Sequence, residues 1–306
     1  VLIPPRLPLV VLPSNRNSST AKDARLVNCY IETNEQGEIE IYRRPGIRVF
    51  STVAAAAIGL GVFHWQATAT AAGKVYSIFA DDLYEDGVAV ETSILLLGNT
   101  KVWFNSMLGA TPKMIFGDGS YAYTWYPPSS LSAELHSINV EYPDTTVKGF
   151  AYLNGATYVM QPEAVIWGSA INSVDQVGDW DPLNFISAQA DPDYGIAMSK
   201  QLVYVIAFNQ TTTEVFFDAG NAVGSPLGPV QGSILSYGCA SAESIQSIDD
   251  VLLWLCKNKT NSLQIAMMKQ LGLTIVSTKA IDKLIAASIT TDIMSWQVKF
   301  DGHSFY

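Results

Sequence analysis

The chain has 306 residues, 48% hydrophobic and 15% charged, with a formal charge of −10 and a pI near 4.7. Soluble domains ordinarily carry about 25% charged residues, so much of this surface must be Ser, Thr, Asn, Gln, Gly or aromatic, which suits a protein covered by other subunits. The acidic balance argues against gripping nucleic-acid phosphates across a broad face, and the length accommodates one large all-β body.

The charges are unevenly placed. All six arginines, Arg6, Arg16, Arg25, Arg43, Arg44 and Arg48, lie in the first 48 residues; residues 1–50 carry +2 and residues 51–306 carry −12. Arginine is the side chain best shaped for bidentate recognition of phosphate and carboxylate. An anion-binding site in the body must therefore use lysines or backbone amides. The first residues are too proline-rich for a secretory signal, and the most apolar window, Val49 to Trp65, is short and interrupted by polar residues. The expectation is a soluble intracellular chain without membrane insertion.

In chain order, residues 1–25 are rich in proline, then in Ser and Asn, with no regular period. This predicts an extended N-terminal arm ordered by a partner. Residues 26–306 read as one all-β, propeller-like body. Runs rich in Val, Ile, Tyr, Phe and Trp recur at Lys74–Ala80, Met114–Phe116, Tyr121–Tyr126, Thr157–Gln161, Gln201–Phe208, Thr213–Asp218, Asp250–Cys256 and Ser262–Met268. They are bounded by Gly, Asn, Asp or Pro, as strands of about 4–8 residues are. Gly117-Asp118-Gly119 and Asn154-Gly155 each separate two apolar runs, a hairpin signature that demands positive φ. Further hairpins are expected over 203–217 and 251–267. Their recurrence every 40–50 residues or so predicts a β-propeller-like body of repeated antiparallel hairpins.

One short helix is expected over Lys279–Ser288, with Thr278 as N-cap and Ile281, Leu284 and Ile285 on one face. Asp301-Gly302 opens a last hairpin whose second strand is only begun at Tyr306, so further strands are expected to follow. Cys29, Cys239 and Cys256 form no CxxC pair, and His64, His136 and His303 are isolated. Neither a disulfide framework nor a metal site is signalled, and the thiols read as free and buried or half-buried. No cofactor is expected.

Two clusters stand out. Arg25-Leu-Val-Asn-Cys-Tyr-Ile-Glu32 with Tyr42-Arg-Arg-Pro-Gly-Ile47 reads as a strand with a basic edge and a Pro-Gly turn. Trp180-Asp-Pro-Leu-Asn-Phe185, followed by Asp191-Pro-Asp193, reads as a corner in which Asp181 accepts from backbone amides above Trp180 and Phe185. In order they are followed by Thr211-Thr-Thr-Glu-Val-Phe-Phe-Asp218-Ala-Gly220, Gly238-Cys-Ala240, Leu252-Leu-Trp254, Ile275-Val-Ser-Thr-Lys-Ala-Ile281 and Asp301-Gly-His-Ser-Phe-Tyr306. This succession resembles the packaged-DNA stabilisation family of short-tailed bacteriophages, best from Trp180 to Tyr306. The resemblance implies a tail hub or nozzle below the portal and adaptor, a propeller-like body assembled as a hexameric ring, and a channel that retains and then conducts the genome. It also implies a virion component, assembled in the host cytoplasm beside a head-to-tail adaptor ring and a tail needle, fibre or tailspike.

Propellers also host glycosidases and sugar-binding proteins. Ser173-Val-Asp175-Gln-Val-Gly178-Asp-Trp180 is close to a sialidase Asp-box with its glycine one place late, yet the body lacks the arginines that would clamp a sialic acid. Asp179 with Asp181, or Glu214 with Asp218, could form an acid and nucleophile pair, though carboxylates this close in sequence more often cap turns. A glycan-binding or glycan-cleaving tail propeller is the alternative function, and the expectation is a structural subunit without catalysis. The six arginines, all at the N-terminal end, are the candidate docking residues toward an acidic adaptor or a neighbouring subunit.

Overall fold

In the computed structural model of the chain, the described residues are 29–33, 39–43, 46, 48, 49, 52, 57–97, 100–109, 111–126, 130–288, 293–300 and 302–306. Strands β1 (Cys29–Thr33) and β2 (Ile39–Arg43) pair as a hairpin. Five antiparallel sheets follow among the described residues, each completed before the next begins. The first contains β3 (Gly59–Trp65), β4 (Lys74–Phe79), β5 (Asp82–Glu85) and β6 (Val88–Glu91), and the second β7 (Trp103–Met107), β8 (Lys113–Gly117), β9 (Ala122–Tyr126) and β10 (Ser130–Leu131). A helical turn, α1 (Leu135–Ile138), leads to the third: β11 (Ala151–Leu153), β12 (Ala156–Met160), β13 (Val165–Ser169) and β14 (Trp180–Ser187). The fourth is β15 (Gly195–Gln201), β16 (Tyr204–Asn209), β17 (Thr213–Asp218) and β18 (Leu227–Pro229). In the fifth the first strand is split: β19 (Gly238–Cys239) and β20 (Gln246–Ile248) both pair with β21 (Val251–Lys257), beyond which lie β22 (Leu263–Lys269) and β23 (Gly272–Ile275). Helix α2 (Lys279–Ala286) and the hairpin of β24 (Val298–Phe300) with β25 (His303–Phe305) complete the described chain.

The strand period of two explains why such sheets stack. In β8, Met114 and Phe116 join a cluster with Tyr76, Ile78 and Leu83 of the first sheet, whereas Ile115 between them joins Val159 and Trp180 of the third. In β12, Tyr158 and Met160 face Val205 and Ala207 of the fourth sheet, while Val159 faces the second. In β16, Ile206 and Phe208 turn the other way, to Leu252 and Trp254 of the fifth. Each central strand is therefore apolar at successive positions because it serves two interfaces, the packing of propeller blades. Burying one such side chain stabilises by about 1.5–3 kcal/mol.

The predicted hairpins form. Asn154 and Gly155 adopt φ of 50° and 92° between β11 and β12, the left-handed pair that their residue types permit. The Gly117-Asp118-Gly119 turn has its positive φ at Gly119, and Thr278 Oγ1 caps α2 by accepting from Ile281 N. Three readings change. The single run Gln201–Phe208 is broken at Leu202, whose φ of 53° makes a hairpin between β15 and β16 without a glycine. Trp180–Ser187 is the outermost strand of the third sheet rather than a corner, and Pro182 is tolerated there because an outer edge needs no ladder donor. Asp181 does accept from Leu183 N at 2.8 Å, and Trp180 is buried, but Phe185 is exposed and leans on Trp167 with ring centres 5.5 Å apart. The turn of α1, unpredicted, is capped by Glu134, which accepts from His136 N and Ser137 N.

The first strands of neighbouring sheets lie side by side, β3 against β7, β7 against β11 and β11 against β15, which places them around a common axis. That axis is filled. Trp103 of the second sheet packs on the cluster shared by the fourth and fifth. Lys148, in the connection before β11, bonds to β15 through Met198 N at 2.9 Å and forms an ion pair with Glu243 of the fifth sheet.

Candidate functional site

In each meander, alternate turns fall at opposite ends of the strands. One rim holds the turns joining first to second and third to fourth strands, and the other holds the remaining turns and the connections between sheets. Both rims mix exposed apolar and acidic side chains. On the first rim, Leu108, Ile171, Val177, Leu202, Val203 and Val223 are all exposed, and so are Asp86, Asp181, Asp249 and Asp250. The second rim carries Asp81, Glu141, Asp144 and Glu163 exposed, with Asp191 and Asp193 half-buried, and also exposes Leu95, Val140, Tyr194 and Ile234. Lys259, on this second rim, is paired with Asp191 at 2.8 Å.

The acidic residues of interest are largely committed to holding the fold. Asp193 accepts from the amides and hydroxyls of Thr211 and Thr212 at 2.7–3.2 Å, closing the β16–β17 turn. Asp179 accepts from Ser173 Oγ at 2.6 Å and Gln176 N at 2.7 Å. The Asp-box-like segment is thus a self-capped loop. Asp175 within it accepts from Lys113 Nζ of the second sheet at 2.5 Å and from Thr124 Oγ1 at 2.7 Å. Burial pushes the Asp175 carboxyl up, but the hydrogen bonds from Lys113, Thr124 and Gln176 outweigh it and hold the group below its ordinary value. In Glu243, burial is likewise outweighed by the bond and charge of Lys148.

Glu214 differs. It is buried on β17, accepts from Ala190 N at 2.9 Å, and has its pKa raised by burial first, with the charges of Asp191 and Asp193 adding to the rise. Asp218 lies four residues further along the same strand, which at the rise of an extended chain is about 13 Å away. That exceeds the separation of about 5–9.5 Å used by glycosidase pairs. Asp218 is occupied by Asn154 Nδ2 at 2.6 Å and Gly220 N at 2.9 Å. Asp179 is buried and Asp181 exposed; both line one groove between the third and fourth sheets, yet each is already engaged in its own turn, while Glu214 and Asp218 do not converge.

The histidines are less isolated than their sequence positions imply. His136 Nδ1 lies 2.8 Å from the Tyr142 carbonyl oxygen and Nε2 lies 2.9 Å from Asp144. His64 is exposed on β3, and the side chain of His303 lies outside the described residues. Cys239 and Cys256 are opposite each other in the β19–β21 register, buried and free, as expected. Among the described residues no group of three or more His, Cys, Asp or Glu is placed to hold a metal ion, and no helix is long and apolar enough to cross a membrane. Of the six candidate docking arginines, Arg43 and Arg48 are exposed, while Arg6, Arg16, Arg25 and Arg44 lie outside the described residues.

Two apolar grooves were not legible in the sequence. One, of about 430 Å³, lies between α2 and the fifth sheet, lined by Leu255, Ile265, Leu284, Trp296 and Tyr306 with three serines. Its α2 wall carries the exposed Lys279 and Lys283. Trp296 and Tyr306 stand there together, but the lining lacks the amide and carboxylate groups that orient sugar hydroxyls. The other, of about 470 Å³, lies on the first rim between the outer parts of the third and fourth sheets, lined by Ile171, Leu183, Val223 and Pro226, with Asp179 and Asp181 as its charged residues.

A family model described as the phage stabilisation family, bacteriophage P22 Gp10, beta-propeller, matches residues 14–306. No curated protein matches the sequence. Among solved structures, the chain is similar to BBS1N in complex with ARL6DN, at 11% identity and a TM-score of 0.44, over 75% of this chain and 72% of that one. It is similar to the computationally designed Ika8 protein at 9% identity and a TM-score of 0.41, over 84% and 85% of the two chains. Raptor of Chaetomium thermophilum gives 12% identity and a TM-score of 0.39, over 67% of this chain and 20% of that one.

Proposed function

The chain belongs to the phage stabilisation family of bacteriophage P22 Gp10, and from that premise we propose that it is a tail hub or nozzle subunit, a non-catalytic part of the virion tail. In this reading six copies surround a channel below the portal and adaptor, retain the packaged genome and conduct it on ejection. The observation that carries the reading is the family match over residues 14–306. Trp103 packs on the cluster of the fourth and fifth sheets and Lys148 pairs with Glu243, so side chains of non-adjacent sheets meet inside one copy. This supports a conduit between copies rather than through one.

The surface chemistry of the chain supports such an assembly. Exposed apolar side chains such as Ile171, Leu183 and Val223 on the first rim offer surface of the kind that subunit contacts bury. The acidic balance of the body, −12 over residues 51–306, repels phosphate wherever it faces a passing duplex and generates none of the counterion-release affinity that would hold the DNA back. The arginine-bearing N-terminal segment docks on a neighbouring subunit or on the adaptor ring, and needle, fibre or tailspike proteins attach below.

Electron microscopy of the purified full chain and of virions tests this. Six-fold rings on the tail axis are expected. A monomer at all concentrations, and density for this chain away from the tail axis, would overturn the proposal.

A further inference from the structure

We propose that the groove on the first rim between the third and fourth sheets receives the proline-rich arm, residues 1–11, of a neighbouring copy, with Arg6 paired to Asp181. This rests on the ring reading above and specifies how adjacent subunits are joined.

Three observations converge. The groove is apolar where it should be wet: Val223 is 84% exposed, Ile171 73% and Leu183 64%. Side chains of this size standing together in solvent mark a docking surface. The charged residues in its lining are aspartates, and of these Asp181 is exposed and, among the described residues, accepts from Leu183 N alone, which leaves carboxylate lone pairs for a donor.

The second observation is the occupant. Residues 1–11, Val-Leu-Ile-Pro-Pro-Arg-Leu-Pro-Leu-Val-Val, are aliphatic and proline apart from Arg6. Prolines fix φ near the extended value, so such a segment loses little conformational freedom when laid in a groove. An apolar strip with one guanidinium matches an apolar trough with one free carboxylate, and arginine forms the stronger, bidentate pair.

The third is selectivity between the two grooves. The trough beside α2 has no charged residue in its lining and bears Lys279 and Lys283 on the helix that walls it. A basic arm is repelled there and attracted to the groove with Asp181. Length permits the exchange: 28 residues precede β1, which extended reach up to about 90 Å.

The test uses full-length protein in a Cys29→Ser background, since Cys239 and Cys256 are buried. One preparation carries Leu9→Cys, and a second, with a different affinity tag, carries Val223→Cys. Mixed under assembly conditions and treated with a short bismaleimide, they are expected to give a cross-link between differently tagged chains. Asp181→Lys should lower its yield several-fold, and Arg6→Glu combined with Asp181→Lys should restore it. Cross-links confined to single chains, a yield indifferent to Asp181→Lys, or rings without cross-links overturn this inference and leave the ring reading standing. Absence of rings by microscopy removes both.

Discussion

Lys113 of β8 donates to Asp175 at 2.5 Å, and Thr124 of β9 donates to the same carboxylate at 2.7 Å, so the second sheet holds an almost wholly enclosed acid supplied by the third. Asp175→Asn keeps the shape but leaves the Lys113 ammonium without a counter-charge. We expect a loss of about 3 kcal/mol in urea unfolding. Replacing both partners, Lys113→Met with Asp175→Leu, should cost less than Asp175→Asn alone, because no buried charge is then left unpaired. Equal losses in the two variants would show that the ion pair does not tie the blades.

Acid titration separates two kinds of carboxylate. Asp175 and Glu243 are held below their ordinary values, so their contribution is complete above the unfolded value of about 4 and is lost as the pH falls through the folded value. Glu214 is raised by burial, so its contribution is complete below about 4 and disappears as the pH rises. Glu214→Gln keeps an acceptor for Ala190 N and removes the ionisation. It should therefore stabilise the protein at pH 7 and leave it nearly unchanged at about pH 3.5. Urea denaturation at the two pH values checks this, and a variant less stable than the parent at pH 7 contradicts it.

Burial pushes the Cys239 thiol up to about 12 and the Cys256 thiol up to about 11. At pH 8 both are protonated and out of reach of solvent. In a Cys29→Ser background, an aromatic disulfide reagent should modify neither thiol until denaturant opens the fifth sheet, and both should then react together. Rapid labelling of the native protein would mean that the β19–β21 edge opens on its own.

Glycines of similar φ should differ sharply in their tolerance of alanine. At Gly149, with φ of 95°, an added Cβ would sit 2.1 Å from the Met198 carbonyl oxygen, where the connection to β11 presses on β15. At Gly232, with φ of 76°, the same atom meets nothing within 4 Å. Gly232→Ala should cost only about 1–2 kcal/mol for its left-handed backbone. Gly149→Ala adds a backbone collision and should exceed that by at least about 2 kcal/mol, or prevent folding.

What the sequence disclosed follows from how the signals are written. Asn154-Gly155 and Gly117-Asp118-Gly119 announce their hairpins because the turn chemistry is local. Leu202 does the same work with a residue that carries no such signal, and β15 went unread because its run, Gly-Ile-Ala-Met-Ser-Lys-Gln, mixes small, polar and apolar residues. Trp180–Ser187 reads as a corner because Asp-Pro is a turn signal in most settings, and here it is an edge-strand feature. The confinement of arginine to the N-terminal segment is plain. The groove that holds Ile171, Leu183 and Val223 is not, since two loops and the edge strand β14, from two sheets, build it and none has a pattern of its own.

The ring of Tyr30 in β1 meets that of Phe305 in β25 with centres 5.4 Å apart, so two hairpins separated by nearly all of the sequence become neighbours. Closing so long a loop is an entropic step that can come only after the intervening sheets have formed. On the ribosome, the β1–β2 hairpin emerges early and must wait unpartnered until the segment around Phe305 is released. A chain cut between the two hairpins leaves the Tyr30 face of the first uncovered, so that one ring contact reports whether both hairpins are in place.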